Sequence, residues 1–363
     1  MNGRERILTA LDIRAPDRVP VWIHAINERA ITNIGRLLAD GVPEAKAANL
    51  MSQEELLKLL DTLFVIHEAL EIDGFTALGM GQLVNVTNLD ENRFQDEWGT
   101  VWERSPHGMA YMVAPAFESP GDIRGYKPPD VGPGEAFLVQ MARERFSGQK
   151  AIFFLMRGVF VRSWRLRGMQ ELFIDMVERP DFVHRLAAMV TEYHLELCGL
   201  VADAGADVLI IEDDIAGNES TLISPRFFRE FVAPYNKQVL DCAHERGLQV
   251  VRHSDGNLWP ILDTLLEMGY DGLNPLESQA GMTLKKVKNY CGERLCLMGN
   301  IDCGELLCSG SEAEVEAAVI QAIADAAPGG GYVLCSSNSI HPGVKAENFV
   351  AMVRAAKEYG SYD

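Results

Sequence analysis

Eight short apolar runs alternate along this chain with longer segments of helical periodicity, and that alternation constrains the fold more than any other feature. The runs are RVPVWIHA from Arg18, GFTALGM from Gly74, AIFFLMRG from Ala151, DVLIIEDD from Asp207, QVVRHSDG from Gln249, GLNPLES from Gly272, LCLMGNID from Leu295 and YVLCSSNS from Tyr332. Most are continuously apolar, as strands buried on both faces must be. Such strands belong to parallel sheets covered by helices. Eight units of this kind in 363 residues predict an α/β fold, a (β/α)8 TIM barrel. An open doubly wound sheet fits less well, because no G-x-G-x-x-G follows the first strand.

The intervening helices carry their own boundary signals. One starts on Ser224 with Pro225 at its first position and stops at Gly247, and another pair is broken at Pro180. The exception is residues 87–149. There FQDEWGTVWERSPHGMAYMVAP alternates like a β-hairpin and GYKPPDVGPGE reads as a loop, so an insertion or cap is expected between strands 2 and 3 of a single domain, 1–363.

Composition narrows the function classes. A net charge of −19 argues against non-specific binding to nucleic acid, which requires a basic surface. The opening MNGRERILTALDIRAPDRVP lacks the apolar run of a signal peptide, and no later stretch resembles a membrane span, so a cytoplasmic protein is expected. The seven cysteines form no C-x-x-C pair and read as reduced thiols; Cys335 is expected to be buried and structural.

Barrel active sites sit at the C-terminal ends of the strands. Those ends carry His24, Arg157, Glu212 to Asp214, His253 with Asp255, Asn274 with Glu277, Asn300 with Asp302, and Ser336, Asn338, Ser339 and His341. Glu212 and Asp214, two apart, share a face. They suit a divalent cation, a substrate hydroxyl or ammonium, or acid–base work, and they could equally be an acidic strand end paired with Arg157. Glu277 is a further carboxylate candidate. His253 and Asp255 also share a face and could supply two metal ligands, or the histidine could bond substrate directly. Asn338 and Ser336, like Arg157 and His24, are candidates for substrate contacts. No G-x-S-x-G elbow is present, which argues against serine hydrolase chemistry.

Several longer stretches resemble the uroporphyrinogen decarboxylase superfamily: MNGRERILTALDIRAPDRVPV, RGVFVRSWRLRGMQELFIDMVERPDFV, LISPRFFREFVAPYNKQVL, HSDGNLWPILDTLLEMGYDGLNPLE, LMGNIDCGELL and SNSIHPGVKAENFVAMV. The resemblance covers nearly the whole chain in order and implies a single barrel with its site at the C-terminal mouth. True decarboxylases of that superfamily are cofactor-free and hold their polycarboxylate substrate with an N-terminal RQAGRY-type arginine pair. Here the equivalent place reads WIHAINERAI, with only Arg29 nearby.

The other branch comprises corrinoid-linked methyltransferases, which bind zinc through a His-x-Cys pair and a later Cys. By resemblance His253 matches the histidine, Asp255 stands at the first cysteine and Asn338 at the last. The leading expectation is therefore a methyltransferase moving a methyl group between a small methylated substrate and a partner corrinoid protein. Zn2+ would be the metal, and the corrinoid (cobalamin) would be carried by the partner; the resemblance also admits a homodimer. The alternative is a cofactor-free decarboxylase of uroporphyrinogen or another carboxylated aromatic, with Arg157, Arg162 or Arg165 binding the carboxylate. A non-catalytic binding barrel is a third reading.

Overall fold

A computed structural model describes residues 1–81, 85–105 and 110–362. β1 (Gly74–Leu78) is followed by four short strands, β2 (Thr87–Asn88), β3 (Arg93–Gln95), β4 (Val101–Arg104) and β5 (Ala110–Ala114), that pair antiparallel in chain order. Then come β6 (Ala151–Arg157), β7 (Val208–Glu212), β8 (Gln249–His253), β9 (Gly272–Asn274), β10 (Cys296–Ile301) and β11 (Tyr332–Ser336). With β1 they form one seven-stranded parallel sheet in the order β1-β6-β7-β8-β9-β10-β11, with helices in the connections.

The expected first strand, Arg18 to Ala25, does not form a ladder. It makes isolated bridges, Val21 to Leu334 and Arg18 to Ser361. Pro20 has no N–H to contribute, which is why a regular pairing fails there. The segment still bonds to both edges of the sheet. Trp22 N donates to Leu334 O at 3.0 Å and Leu334 N to Pro20 O at 2.9 Å, while Asp73 N donates to Val21 O at 2.9 Å. The fold is thus TIM-barrel-like, with seven regular strands in place of the eight that were expected.

Two cores hold it together. Ala151, Phe153 and Leu155 of β6, Val208 and Ile210 of β7, Val251 of β8, Cys296 and Met298 of β10, and Val333 and Cys335 of β11 form one buried cluster. Their two-residue spacing puts them on the inner face of the curled sheet. Trp22 joins them, stacked on Phe153 with ring centroids 4.7 Å apart. Helix Gly3–Leu11, fixed by a capping box between Asn2 and Glu5, plugs the N-terminal end with Ile7, Ala10 and Leu11. The larger core lies between the sheet and the outer helices.

Local rules explain the helix boundaries. Helices Met169–Glu178 and Pro180–Asp203 part at the expected proline. The segment capped by Ser224 contains Pro234, and the chain accommodates the missing N–H with a π-turn over Phe228–Val232 just before it. Between β1 and β6, the small sheet docks through Trp98, which is buried and meets Tyr193 edge-on at 4.7 Å. Helix Phe137–Phe146 then packs against β1 and β6. Among the described residues no helix is long and apolar enough to cross a membrane.

Candidate active site

The period that fills the inner core continues past it. On β6 it runs 151, 153, 155 and then Arg157; on β7 it reaches Glu212; on β8 it reaches His253. Strand register sets these ends side by side: Arg157 opposite Glu212, Glu212 opposite His253, His253 opposite Asn274. One row of polar side chains therefore crosses four strands at the C-terminal end of the sheet.

His253 is the centre of this row. Its Nδ1 lies 2.6 Å from Asn274 Oδ1. Asn274 Nδ2 donates to Met298 O at 2.9 Å and to Cys335 Sγ at 3.2 Å, so the amide oxygen is the atom turned to the imidazole. This assigns the proton to Nδ1 and leaves Nε2 with a free lone pair. Burial pushes the His253 pKa down and so favours the neutral ring, against the opposing pull of Asp214.

Two carboxylates face that bare nitrogen. Asp214 Oδ1 lies 3.8 Å from His253 Nε2 and Asp255 Oδ1 lies 3.7 Å from it. Both are beyond hydrogen-bond length. Asn338 Nδ2 donates to Asp255 Oδ2 at 2.7 Å, while Asp255 Oδ1 is buried with no partner. Burial first, then the charges of Asp214 and Glu277, push the Asp255 carboxyl up to about 7, with the Asn338 bond acting in opposition.

A second group overlaps the first. His24 stacks on His253 with ring centroids 4.0 Å apart and planes 5° apart, and its Nε2 lies 4.0 Å from Glu212 Oε2. Arg157 pairs with Glu212 Oε1. Glu212 Oε2 and His24 Nδ1 are buried without partners. Burial, then the nearby His253 and Arg157, hold the His24 pKa well below its ordinary value. The donor atoms of His24, Glu212 and His253, and separately those of Asp214, His253 and Asp255, lie within 4.8 Å of one another.

The remaining candidates are engaged locally. Glu277 Oε2 accepts from Gly256 N at 2.7 Å, bracing the turn that carries Asp255. Ser336 is fully buried and donates to Asn338 O at 2.6 Å, shaping the loop that aims the amide. Cys335 is buried in the inner core, as expected. Asn274 entered the sequence reading only as a strand-end polar residue. The signal for its role was its place in register with His253, which appears only once the strands are aligned.

The donor set fits a divalent cation. Around a tetrahedral ion with bonds of about 2.1 Å, neighbouring ligand atoms sit roughly 3.4 Å apart. The spacings about His253 Nε2 are slightly wider, and an orphaned carboxylate oxygen points into the gap. An imidazole nitrogen with two carboxylate oxygens is a harder set than one built on thiolates.

Comparison with known proteins bears on the family and the fold. Residues 102–359 match the uroporphyrinogen decarboxylase (URO-D) family. The chain is 26% identical over 359 residues, 98% of each protein, to the methylcobamide:CoM methyltransferase MtaA of Methanosarcina barkeri. It is 26% identical over 221 residues to MtbA of Methanosarcina mazei, a match spanning 62% of that protein. With the uroporphyrinogen decarboxylase of Thioalkalivibrio sulfidiphilus, 26% identity extends over 201 residues and 52% of that protein. A solved methyltransferase structure from Methanosarcina mazei shares the fold, with a TM-score of 0.76 over 99% of both chains at 22% identity. On the match from Trp102 to Tyr359, the chain belongs to the uroporphyrinogen decarboxylase family.

Proposed function

We propose that the protein is a methyltransferase that moves a methyl group between a small methylated substrate and a partner corrinoid protein. The observation that carries this reading is His253 Nε2, free of any hydrogen bond and faced by Asp214 and Asp255 at 3.8 and 3.7 Å. The end-to-end similarity to MtaA supports the reaction class. The partial matches to decarboxylases support only the family.

In this reading His253, Asp214 and Asp255 would hold Zn2+ or a harder divalent ion. When bound, the ion would act as a Lewis acid on the heteroatom that gains or loses the methyl group. The protein's own groups have separate tasks. Asn274 fixes the imidazole tautomer, and Asn338 fixes one oxygen of Asp255 so that the other faces the site. Arg157 neutralises Oε1 of Glu212, leaving the unpartnered Oε2 to hold or release a proton at the substrate heteroatom. Glu277 acts as a positioning residue through Gly256. His24 completes the wall against which a small substrate rests. The cobalamin would be carried by the partner. Residues 87–149 would serve as a cap on a single domain, 1–363.

The test is methyl transfer to cob(I)alamin, or from methylcobalamin in the reverse direction, as a stand-in for the partner, followed by the cobalt absorption spectrum. Methoxylated aromatics, methylamines and methylthiols are the donors to screen. Formation of methylcobalamin with one of these classes is the expected result. Metal-independent release of CO2 from uroporphyrinogen, with no methyl transfer, would instead make the protein a decarboxylase.

A further inference from the structure

Helix Val159–Arg167 carries two arginines that the site described above does not use. Arg162 and Arg165 are three residues apart and so share a face of the helix. Arg162 is only 5% exposed and Arg165 is half-buried. Among the described residues neither side chain has an ion pair or a hydrogen bond, and the Nε of each is buried without an acceptor. Arg167, on the same helix, shows the ordinary arrangement: its Nε donates to Asp175 Oδ2 at 2.8 Å.

Each guanidinium lies over aromatic rings instead. Arg162 lies over Trp98 at 4.3 Å from the ring centroid, and Arg165 over Trp102 at 5.1 Å and Trp164 at 5.6 Å. A cation held over a ring face gains attraction from it but no hydrogen-bond acceptor for its N–H edge. The acids in the neighbourhood are Asp96, Glu97 and Asp214, and none comes within ion-pairing distance. Asp96 is committed to Trp98 N, Thr100 N and Trp102 Nε1 at 3.0, 2.9 and 2.8 Å. Glu97 accepts from Asn85 Nδ2 at 3.1 Å, and Asp214 from Asp255 N at 3.2 Å. Tyr126 and Tyr193 complete the surroundings of Arg162.

Arg157 stands behind this pair, its Nε also buried without an acceptor. Burial first, then the charges of Arg157 and Arg162, weaken the hold of Arg165 on its proton, while Asp214 opposes them. The three guanidiniums therefore share one electrostatic environment, continuous with the His253 site through Asp214. Only Arg157 has a paired carboxylate, Glu212; Asp96, Glu97 and Asp214 lie near enough to act by charge, but they leave the N–H edges of Arg162 and Arg165 without an acceptor. Buried guanidiniums left unpaired are costly unless something else supplies the acceptors.

We propose that Arg162 and Arg165, backed by Arg157, form the seat for an oxyanion of the substrate. The molecule acted on thus carries a carboxylate or a phosphate besides its reacting group. Held there by charge-assisted bonds to the N–H edges, the anion leaves the rest of a small substrate directed toward Asp214 and His253. This deepens, and for its catalytic meaning rests on, the methyl-transfer reading.

Binding and chemistry can be tested apart. Calorimetric titration of the full chain would compare benzoate with benzamide, its uncharged counterpart of the same shape, and inorganic phosphate in a third arm. The expected result is an oxyanion preferred over benzamide by about tenfold or more, with the preference falling severalfold in Arg165→Gln and in Arg162→Gln. Which of benzoate and phosphate binds identifies the anion. Equal binding of benzoate and benzamide with no phosphate binding overturns the proposal, and that comparison needs only the unaltered protein. A preference unchanged in both folded variants also overturns it. Anion binding without methyl transfer to cobalamin would leave the seat standing and sink the reaction assigned to it.

Discussion

Asn274 Oδ1 lies 2.6 Å from His253 Nδ1, and this contact decides which nitrogen of the imidazole faces Asp214 and Asp255. An amide that is itself tied to the Met298 carbonyl cannot turn to present its NH2, so the ring is held in one tautomer and one orientation. Partners of this kind commonly set the affinity of a histidine for metal.

Asn274→Ala should therefore lower the affinity for Zn2+ by about 10- to 100-fold, measured by competition with a chelating dye. Asn274→Asp keeps an acceptor for Nδ1–H and should recover part of the loss. Equal affinity in Asn274→Ala and the unaltered protein would remove the orienting role.

Gly256 has φ of 85°, and a Cβ there would sit 2.7 Å from the backbone of Ala216. Gly256→Ala should displace the turn that carries Asp255 and weaken metal binding, with a stability loss on the order of 1–3 kcal/mol from backbone strain. Metal affinity and a urea titration would be read together. A variant with both unchanged would show that the turn is not constrained.

Below the site, Arg252 and Asp213 form a fully buried pair, Nη1 to Oδ2 at 3.1 Å. Asp213 also accepts from Val161 N and from Asn236 Nδ2, each at 2.7 Å. Asp213→Ala would leave the guanidinium charge uncompensated in the interior. The expected loss is about 3–5 kcal/mol in urea denaturation. A loss within ~0.5 kcal/mol would contradict the pairing.

His67 is buried against Phe75 and Phe146, and burial pushes its pKa down to about 4 despite the Leu63 carbonyl on Nδ1. The folded protein thus binds a proton less readily here than the unfolded chain, whose imidazole titrates near pH 6.5. The stability is fully present above about pH 6.5 and is lost as pH falls toward 4, on the order of 3 kcal/mol in all. His67→Leu should flatten the pH dependence of stability across that window. An unchanged slope would contradict a buried neutral imidazole.

Much of this was legible in the residues. The apolar runs located all seven strands of the main sheet, because continuous apolar character is a local property. The eighth run failed as a regular strand at Pro20, whose missing donor matters only once a neighbour is known. The i, i+2 spacing anticipated His253 beside Asp255, but Glu212 and Asp214 fall in separate groups around His253, because the strand ends at Glu212 and period two no longer applies beyond it. What spacing could not supply was cross-strand register. The stacking of His24 on His253, the bond from Asn338 to Asp255 and the bond from Asn274 to His253 all join residues far apart in sequence. Arg162 and Arg165 were visible as charges, but their lack of partners could be seen only in the packed structure.

The most direct measurement of the central claim is the metal content of the full chain after equilibration with Zn2+ or Mn2+ and removal of free ion, alongside Asp255→Ala. Two carboxylates and one imidazole should retain about one divalent ion per chain in the unaltered protein, and the variant should lose it. If the unaltered protein retains no more metal than Asp255→Ala, the site formed by Asp214, His253 and Asp255 is not a cation site.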